Sequence, residues 1–143
     1  MPLSVGVLMD PIGAIKIAKD TSFAMLLEAQ RRGTALHYFE QGELALRDGA
    51  PWARSAPLEV REDPHHWYTL GPAQWRDLRE LDAVLMRKDP PVDAQFIYDT
   101  MVLEAAQRGG VAVINDPRSL RDCNEKLFAL DFPQCIAPTL VAR

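Results

Sequence analysis

The stretch Leu81-Asp82-Ala83-Val84-Leu85-Met86-Arg87-Lys88-Asp89-Pro90-Pro91 leaves the chain little freedom. Its apolar half is long enough for a buried strand and too short for a helix. Three consecutive charges and two prolines follow. Each proline fixes φ near about −65° and donates no backbone hydrogen bond. Pro90 also biases Asp89 toward extended backbone. The pattern therefore predicts a strand that runs into a stiff, charged loop. In open α/β sheets, ligands bind just beyond the carboxyl ends of strands. Arg87, Lys88 and Asp89 are thus the first candidate site residues, with a plain solvated loop as the alternative.

The rest of the chain supplies the layers such a strand needs. Val5-Gly6-Val7-Leu8-Met9 reads as a strand apolar on both faces, as covered parallel strands are. It ends at Asp10-Pro11, and a loop over 12–19 carries Gly13, Lys16 and Lys19. Asp20-Thr21-Ser22 offers helix N-cap oxygens. Phe23, Leu26, Leu27 and Gln30 follow at helical spacing, and Arg31-Arg32-Gly33 suits a helix end. Ala35-Leu36-His37-Tyr38-Phe39 is a second strand, completing a βαβ unit with a right-handed crossover.

Between residues 41 and 78, Gly and Pro punctuate the chain densely. Leu44-Ala45-Leu46 and Leu58-Glu59-Val60 predict short strands joined through Asp48-Gly49, a small antiparallel excursion. Trp52, Trp67, Tyr68 and Trp75 read as packing for this lobe, with an aromatic binding surface as the other reading. After the strand over Asp82–Met86, Asp93 can cap a helix whose core face is Phe96, Ile97, Met101 and Ala105, widened by Tyr98 and Val102. Gly109-Gly110 stops it. Val111–Ile114 predicts a further strand, 117–122 a turn or short helix, Asn124–Leu130 a helix, and Thr139–Ala142 the start of a strand. A strand there would need a partner, so the sequence reads as the start of a longer protein. The fold class is α/β, with a central, mostly parallel sheet of four or five strands and helices on both faces.

Composition closes off other classes. A chain of 143 residues with net charge −4 suits one domain and argues against a nucleic-acid surface. No apolar stretch is long enough to cross a membrane. Cys123 and Cys135 form neither a C-x-x-C motif nor a disulfide framework, so a reduced, cytoplasmic compartment is expected. Neither G-x-x-x-x-G-K-[ST] nor G-x-G-x-x-G occurs. His65-His66 lacks the cluster that would complete a metal site. Asp10, without an acidic neighbour, does not make a receiver-type phosphoacceptor site. On position alone, Lys126 is a solubilising surface charge or a mobile cation for an anionic ligand.

Four segments carry a resemblance. Val7-Leu8-Met9-Asp10-Pro11-Ile12, Asp20 through Gly33, Leu85-Met86-Arg87-Lys88-Asp89-Pro90-Pro91 and Asn115-Asp116-Pro117-Arg118-Ser119-Leu120-Arg121-Asp122-Cys123-Asn124-Glu125-Lys126 closely resemble bacterial glutathione synthetase, in the family's order. The resemblance implies a Rossmann-like pre-ATP-grasp domain over 1–122, with 123–143 as linker and the opening of an ATP-grasp region. It implies an ATP-dependent ligase that joins γ-glutamylcysteine to glycine through an acyl phosphate, with Mg²⁺ neutralising the phosphates. It places Arg87, Lys88 and Asp89 at the peptide substrate, with Asp10 and Ser22 on the same rim, and Lys126 at the ATP phosphates. It implies a cytoplasmic homotetramer, and that this stretch alone is inactive. The segment over 44–75 is the least family-like. The competing expectation is a non-catalytic α/β module for oligomerisation or small-anion binding.

Overall fold

A computed structural model describes residues 2–142. The elements in chain order are β1 (Ser4–Met9), α1 (Thr21–Arg31), β2 (Ala35–Phe39), β3 (Leu44–Arg47), β4 (Ala50–Val60), β5 (Tyr68–Leu70), β6 (Gln74–Asp77), β7 (Ala83–Arg87), α2 (Ala94–Arg108), β8 (Ala112–Ile114) and α3 (Pro117–Asp122). Strands β2, β1, β7 and β8 lie side by side, all parallel. Asp20 caps α1 by accepting the Phe23 amide at 2.7 Å, and Asp93 caps α2 through Phe96 at 2.9 Å.

Alternation along β1 builds two cores. Val7 and Met9 pack with Phe23 and Leu26 of α1 and with Leu36 and Tyr38 of β2. Leu8 points the other way, into Val84, Met86, Phe96, Leu103 and Ala106. The two long helices thus cover opposite faces of the parallel strands, as expected. Gly6 is what lets β1 close on its neighbours. A Cβ there would stand 2.8 Å from Leu81 Cδ1 and 2.9 Å from Phe39 Cε1.

The sheet holds eight strands, more than the four or five expected, because the antiparallel excursion is larger than its sequence suggested. The β3–β4 turn is at Asp48-Gly49, both with positive φ (50° and 77°), which is the two-residue hairpin geometry. Strand β4 starts at once after that turn and passes through Pro51 and Pro57, so the prolines interrupt composition without ending the strand. It pairs with β3 and β6 over its first half and with β2 and β5 over its second.

Other expectations need correction. The buried side of α2 is Phe96, Asp99, Thr100, Val102, Leu103 and Ala106, while Tyr98 and Met101 are exposed. The misreading arose because this helix buries two polar residues, which apolar periodicity cannot see. No helix forms over Asn124–Leu130. Asn124 caps a turn by accepting the Lys126 and Leu127 amides, and a short 3₁₀ turn runs from Phe128 to Asp131. Residues 139–142 join no strand among the described residues.

The order of the parallel strands fixes where a ligand can sit. The chain leaves β1 toward β2 on one side and returns as β7 on the other. The carboxyl ends of β1 and β7 therefore lie together at the switch point, with Met9 in register with Arg87.

Candidate functional site

A cleft of about 210 Å³ opens at that switch point. Asp10 and Asp89 line it from the two strand ends, Lys19 from the first loop, Thr21 and Ser22 from the start of α1, and Arg87 from the end of β7. The first turn of a helix presents unpaired N–H groups and a partial positive charge, and Arg87 and Lys19 add cations to it. Asp20 already takes the Phe23 amide.

Arg87 donates through Nε to Ser22 Oγ at 2.9 Å. Ser22 is 6% exposed, so this bond sets the direction of the guanidinium from a rigid base. Among the described residues, no acceptor bonds the terminal nitrogens of Arg87. A guanidinium anchored at Nε and open at its ends is suited to a carboxylate.

Lys88 behaves differently. Its side chain is only 11% exposed, its Nζ lies 2.9 Å from Asp10 Oδ1, and it donates to the Asp89 carbonyl at 2.6 Å. The Asp89 amide donates to Asp10 Oδ2 at 3.0 Å. Both oxygens of Asp10 are therefore engaged by the loop that follows β7. Asp10 and Lys88 form a latch across the two strand ends, while the carboxylate of the exposed Asp89 belongs to the rim.

A second clamp holds the loop after β1. Tyr38 Oη accepts the Ile12 amide at 3.0 Å and donates to Glu40 Oε1, and Trp67 Nε1 donates to the Ile12 carbonyl at 2.9 Å. Burial, helped by the Glu40 carboxylate, pushes the Tyr38 phenol well above the usual tyrosine range, so it stays a protonated donor. Trp67 thus serves the site as a brace, the packing role expected of it.

The cleft brings together Arg87, Asp89, Asp10 and Ser22 of the expected residues, with Lys88 behind them. It does not include Lys126, which stands on the exposed turn after α3, 4.0 Å from Glu125. Lys19 and Thr21 are not among the site residues expected from sequence. The available signal was a lysine directly before an N-cap run, in the loop that leaves the first strand. Asp99 was missed too. It is 1% exposed, accepts Gln95 Nε2 at 2.9 Å, and leaves Oδ2 without a partner among the described residues. Burial raises its pKa against the opposing Gln95 bond. Among the described residues, no three His, Cys, Asp or Glu side chains gather as a metal site, and no helix is long and apolar enough to cross a membrane.

Residues 3–121 match the family model for the N-terminal domain of prokaryotic glutathione synthetase. The chain is 62% identical over its whole length to a glutathione synthetase of Xanthomonas axonopodis pv. citri, covering 45% of that protein. It is 57% identical to one from Xylella fastidiosa, covering 46%, and 54% identical to one from Pseudomonas putida, covering 45%, again over all of its own residues. The chain therefore spans a little under half the length of the curated relatives it matches.

Proposed function

The chain belongs to the prokaryotic glutathione synthetase family, and we propose that it forms the substrate-facing wall of a ligase that makes glutathione. In the proposed reaction, the cysteinyl carboxylate of γ-glutamylcysteine takes the γ-phosphoryl group of ATP, leaving ADP. The amine of glycine attacks the resulting acyl carbon. Phosphate leaves, the amine loses a proton, and the amide bond of glutathione forms.

The observation that carries this reading is the Arg87 guanidinium, anchored on Ser22 and open at its far end in the switch-point cleft. Arg87, with Lys19 and the first turn of α1 beside it, binds a carboxylate of the peptide. Asp89 stands on the rim, where it can meet the peptide's ammonium. Asp10 and Lys88 hold the loop from behind, and Ser22 aims the arginine. None of these groups performs a bond-making step; they orient an anionic substrate, and orientation alone can lower a barrier by several kcal/mol, of the order of 7–11 at best. Lys126 is proposed to meet the ATP phosphates as a mobile point charge, consistent with its exposure.

Mg²⁺ does not fit a site among the described residues. The described residues provide no cluster of three ligands, and Asp10 is engaged by Lys88 and Asp89. The metal ligands are assigned to the part of the protein that the relatives have beyond this match. The boundary of the pre-ATP-grasp domain is placed at residue 122, supported by the end of α3 and of the family match nearby. Cytoplasmic location and assembly as a homotetramer complete the proposal, the latter in keeping with exposed apolar side chains such as Tyr98, Met101 and Phe128.

The test is direct. A full-length protein carrying this chain, given ATP, γ-glutamylcysteine and glycine, forms glutathione and ADP in equal amounts. ADP release without glutathione, or glutathione formation independent of glycine, would remove the proposal.

A further inference from the structure

A cleft remote from the site described above has a lining of its own. It lies on the antiparallel lobe, has a volume of about 230 Å³, and is lined by Ala45 and Arg47 of β3, Trp52 of β4 and Trp75 of β6. Strand register explains the lining. Ala45 is paired with Trp52, and Arg54 with Trp75. Residues two apart in a strand share a face, so all four lining side chains stand on the same side of β4. Trp52 and Trp75 are diagonal neighbours there, and an alanine beside Trp52 leaves the space open.

Three observations set this cleft apart from packing. Trp75 is 54% exposed, although a core tryptophan would be covered. The guanidinium of Arg47 stands 5.8 Å from the centroid of the Trp52 ring. The other arginines of the lobe are each held by a side chain, Arg54 by Glu43, Arg76 by Glu80, Arg79 by Asp77 and Arg61 by the Thr69 hydroxyl. Arg47 alone among these has neither a hydrogen-bonded nor an ion-paired side chain among the described residues, and meets only the Trp52 ring. Trp52 Nε1 is buried, so the cleft meets the carbon framework of that ring instead of its N–H.

We propose that this cleft is a binding site for a planar aromatic or heteroaromatic anion. The ring seats against Trp52 and Trp75, and the carboxylate or phosphate lies at Arg47. The recognition combines ring stacking with a cation already placed at a ring edge or face. The volume is below the roughly 300–1,000 Å³ of sites for drug-sized ligands, so the occupant is one ring system with its charge. Aromatic carboxylates and the base-and-phosphate of a mononucleotide share this chemistry. This site is independent of the peptide cleft and of the ligase reading.

The test uses the full-length protein labelled with ¹⁵N and follows its tryptophan indole N–H resonances. The Trp52, Trp67 and Trp75 signals are assigned through Trp52→Phe, Trp67→Phe and Trp75→Phe. The probes are 2-naphthoate and AMP, with 2-naphthalenemethanol and cyclohexanecarboxylate as the uncharged and the non-planar controls. The expected result is a saturable shift of the Trp52 and Trp75 signals with at least one anionic probe, while the Trp67 signal stays still. Saturation by naphthoate alone assigns the site to aromatic carboxylates, and saturation by AMP alone assigns it to nucleotides. Arg47→Gln weakens that binding at least fivefold and leaves the uncharged control unchanged. Trp75→Ala, at an exposed position, weakens it similarly. Equal response to cyclohexanecarboxylate, shifts without saturation, or full affinity in Arg47→Gln would overturn the proposal. So would the absence of any response, which would leave the lobe as a surface covered by protein.

Discussion

Arg87 and Lys88 are adjacent cations with opposite fates, and only the fold separates them. Strand alternation sends Arg87 toward Ser22 and the cleft, and turns Lys88 back onto Asp10. The sequence placed both in one charged loop and could not say which of them a substrate would meet, because that depends on a residue 78 positions earlier. Removing Asp10 should reveal the latch. Asp10→Ala leaves the Asp89 amide and a largely buried ammonium short of an acceptor, and the expected cost is about 1–3 kcal/mol. Asp10→Asn, which keeps the shape and the acceptor oxygen, should lose less. Urea midpoints of the three proteins check the order; equal midpoints would mean the latch carries no stability. Lys126 is a different case, its ammonium having no partner among the described residues beyond a 4.0 Å approach to Glu125. Lys126→Ala should leave the midpoint within about 0.5 kcal/mol and raise the ATP concentration needed for half-maximal rate in the full-length enzyme. An unchanged ATP requirement would end its phosphate role.

Strands and helices were legible to different degrees, for physical reasons that differ. The βαβ unit could be read because β1 and β2 are apolar on both faces and the helix between them carries its cap and its αL glycine. β6 could not, because Gln74-Trp75-Arg76-Asp77 lies in a strand with little apolar content to alternate. Of β4 only Leu58-Glu59-Val60 is legible as a strand, because prolines at 51 and 57 look like breaks. Close approach at β1 gives one prediction. Gly6→Ala drives a methyl into the buried Phe39 and Leu81, and should destabilise by about 1–3 kcal/mol. A cost near zero would show that those side chains move aside freely. The buried face of α2 gives another. Asp99 has its pKa raised chiefly by burial, with Asp93 adding to the rise and Gln95, Gln41 and Lys88 opposing it. The unfolded chain therefore loses this proton at a lower pH than the folded chain, and the stability it contributes is lost as pH rises through the folded value. Asp99→Asn should raise the urea midpoint relative to the parent near pH 7, with the difference shrinking toward pH 3. A variant equally weakened at both pH values would mean the carboxyl acts as a packed polar group whose charge is unimportant.

For the molecule as a whole, two layers of helix on a parallel core put the cleft at the one place where strand order reverses, and the antiparallel lobe extends the sheet away from it. The family and the end of the sheet that carries the site could be read from four short segments. The β5 and β6 pairings of the lobe and the segment after α3 could not, since their conformations follow from pairing and caps that local pattern does not encode. The chain by itself, spanning under half the length of its relatives, is expected to make no glutathione from ATP, γ-glutamylcysteine and glycine. Detectable product from it would mean that this wall alone assembles a working site. The division of labour in the cleft is settled by steady-state kinetics of full-length Arg87→Ala with each substrate varied in turn. Loss of a charged hydrogen bond to a carboxylate, worth about 1.5–3 kcal/mol, predicts a KM for γ-glutamylcysteine raised about tenfold to a hundredfold, with the KM for ATP nearly unchanged. A raised KM for ATP with an unaltered KM for the peptide would contradict the assignment of this cleft to the peptide.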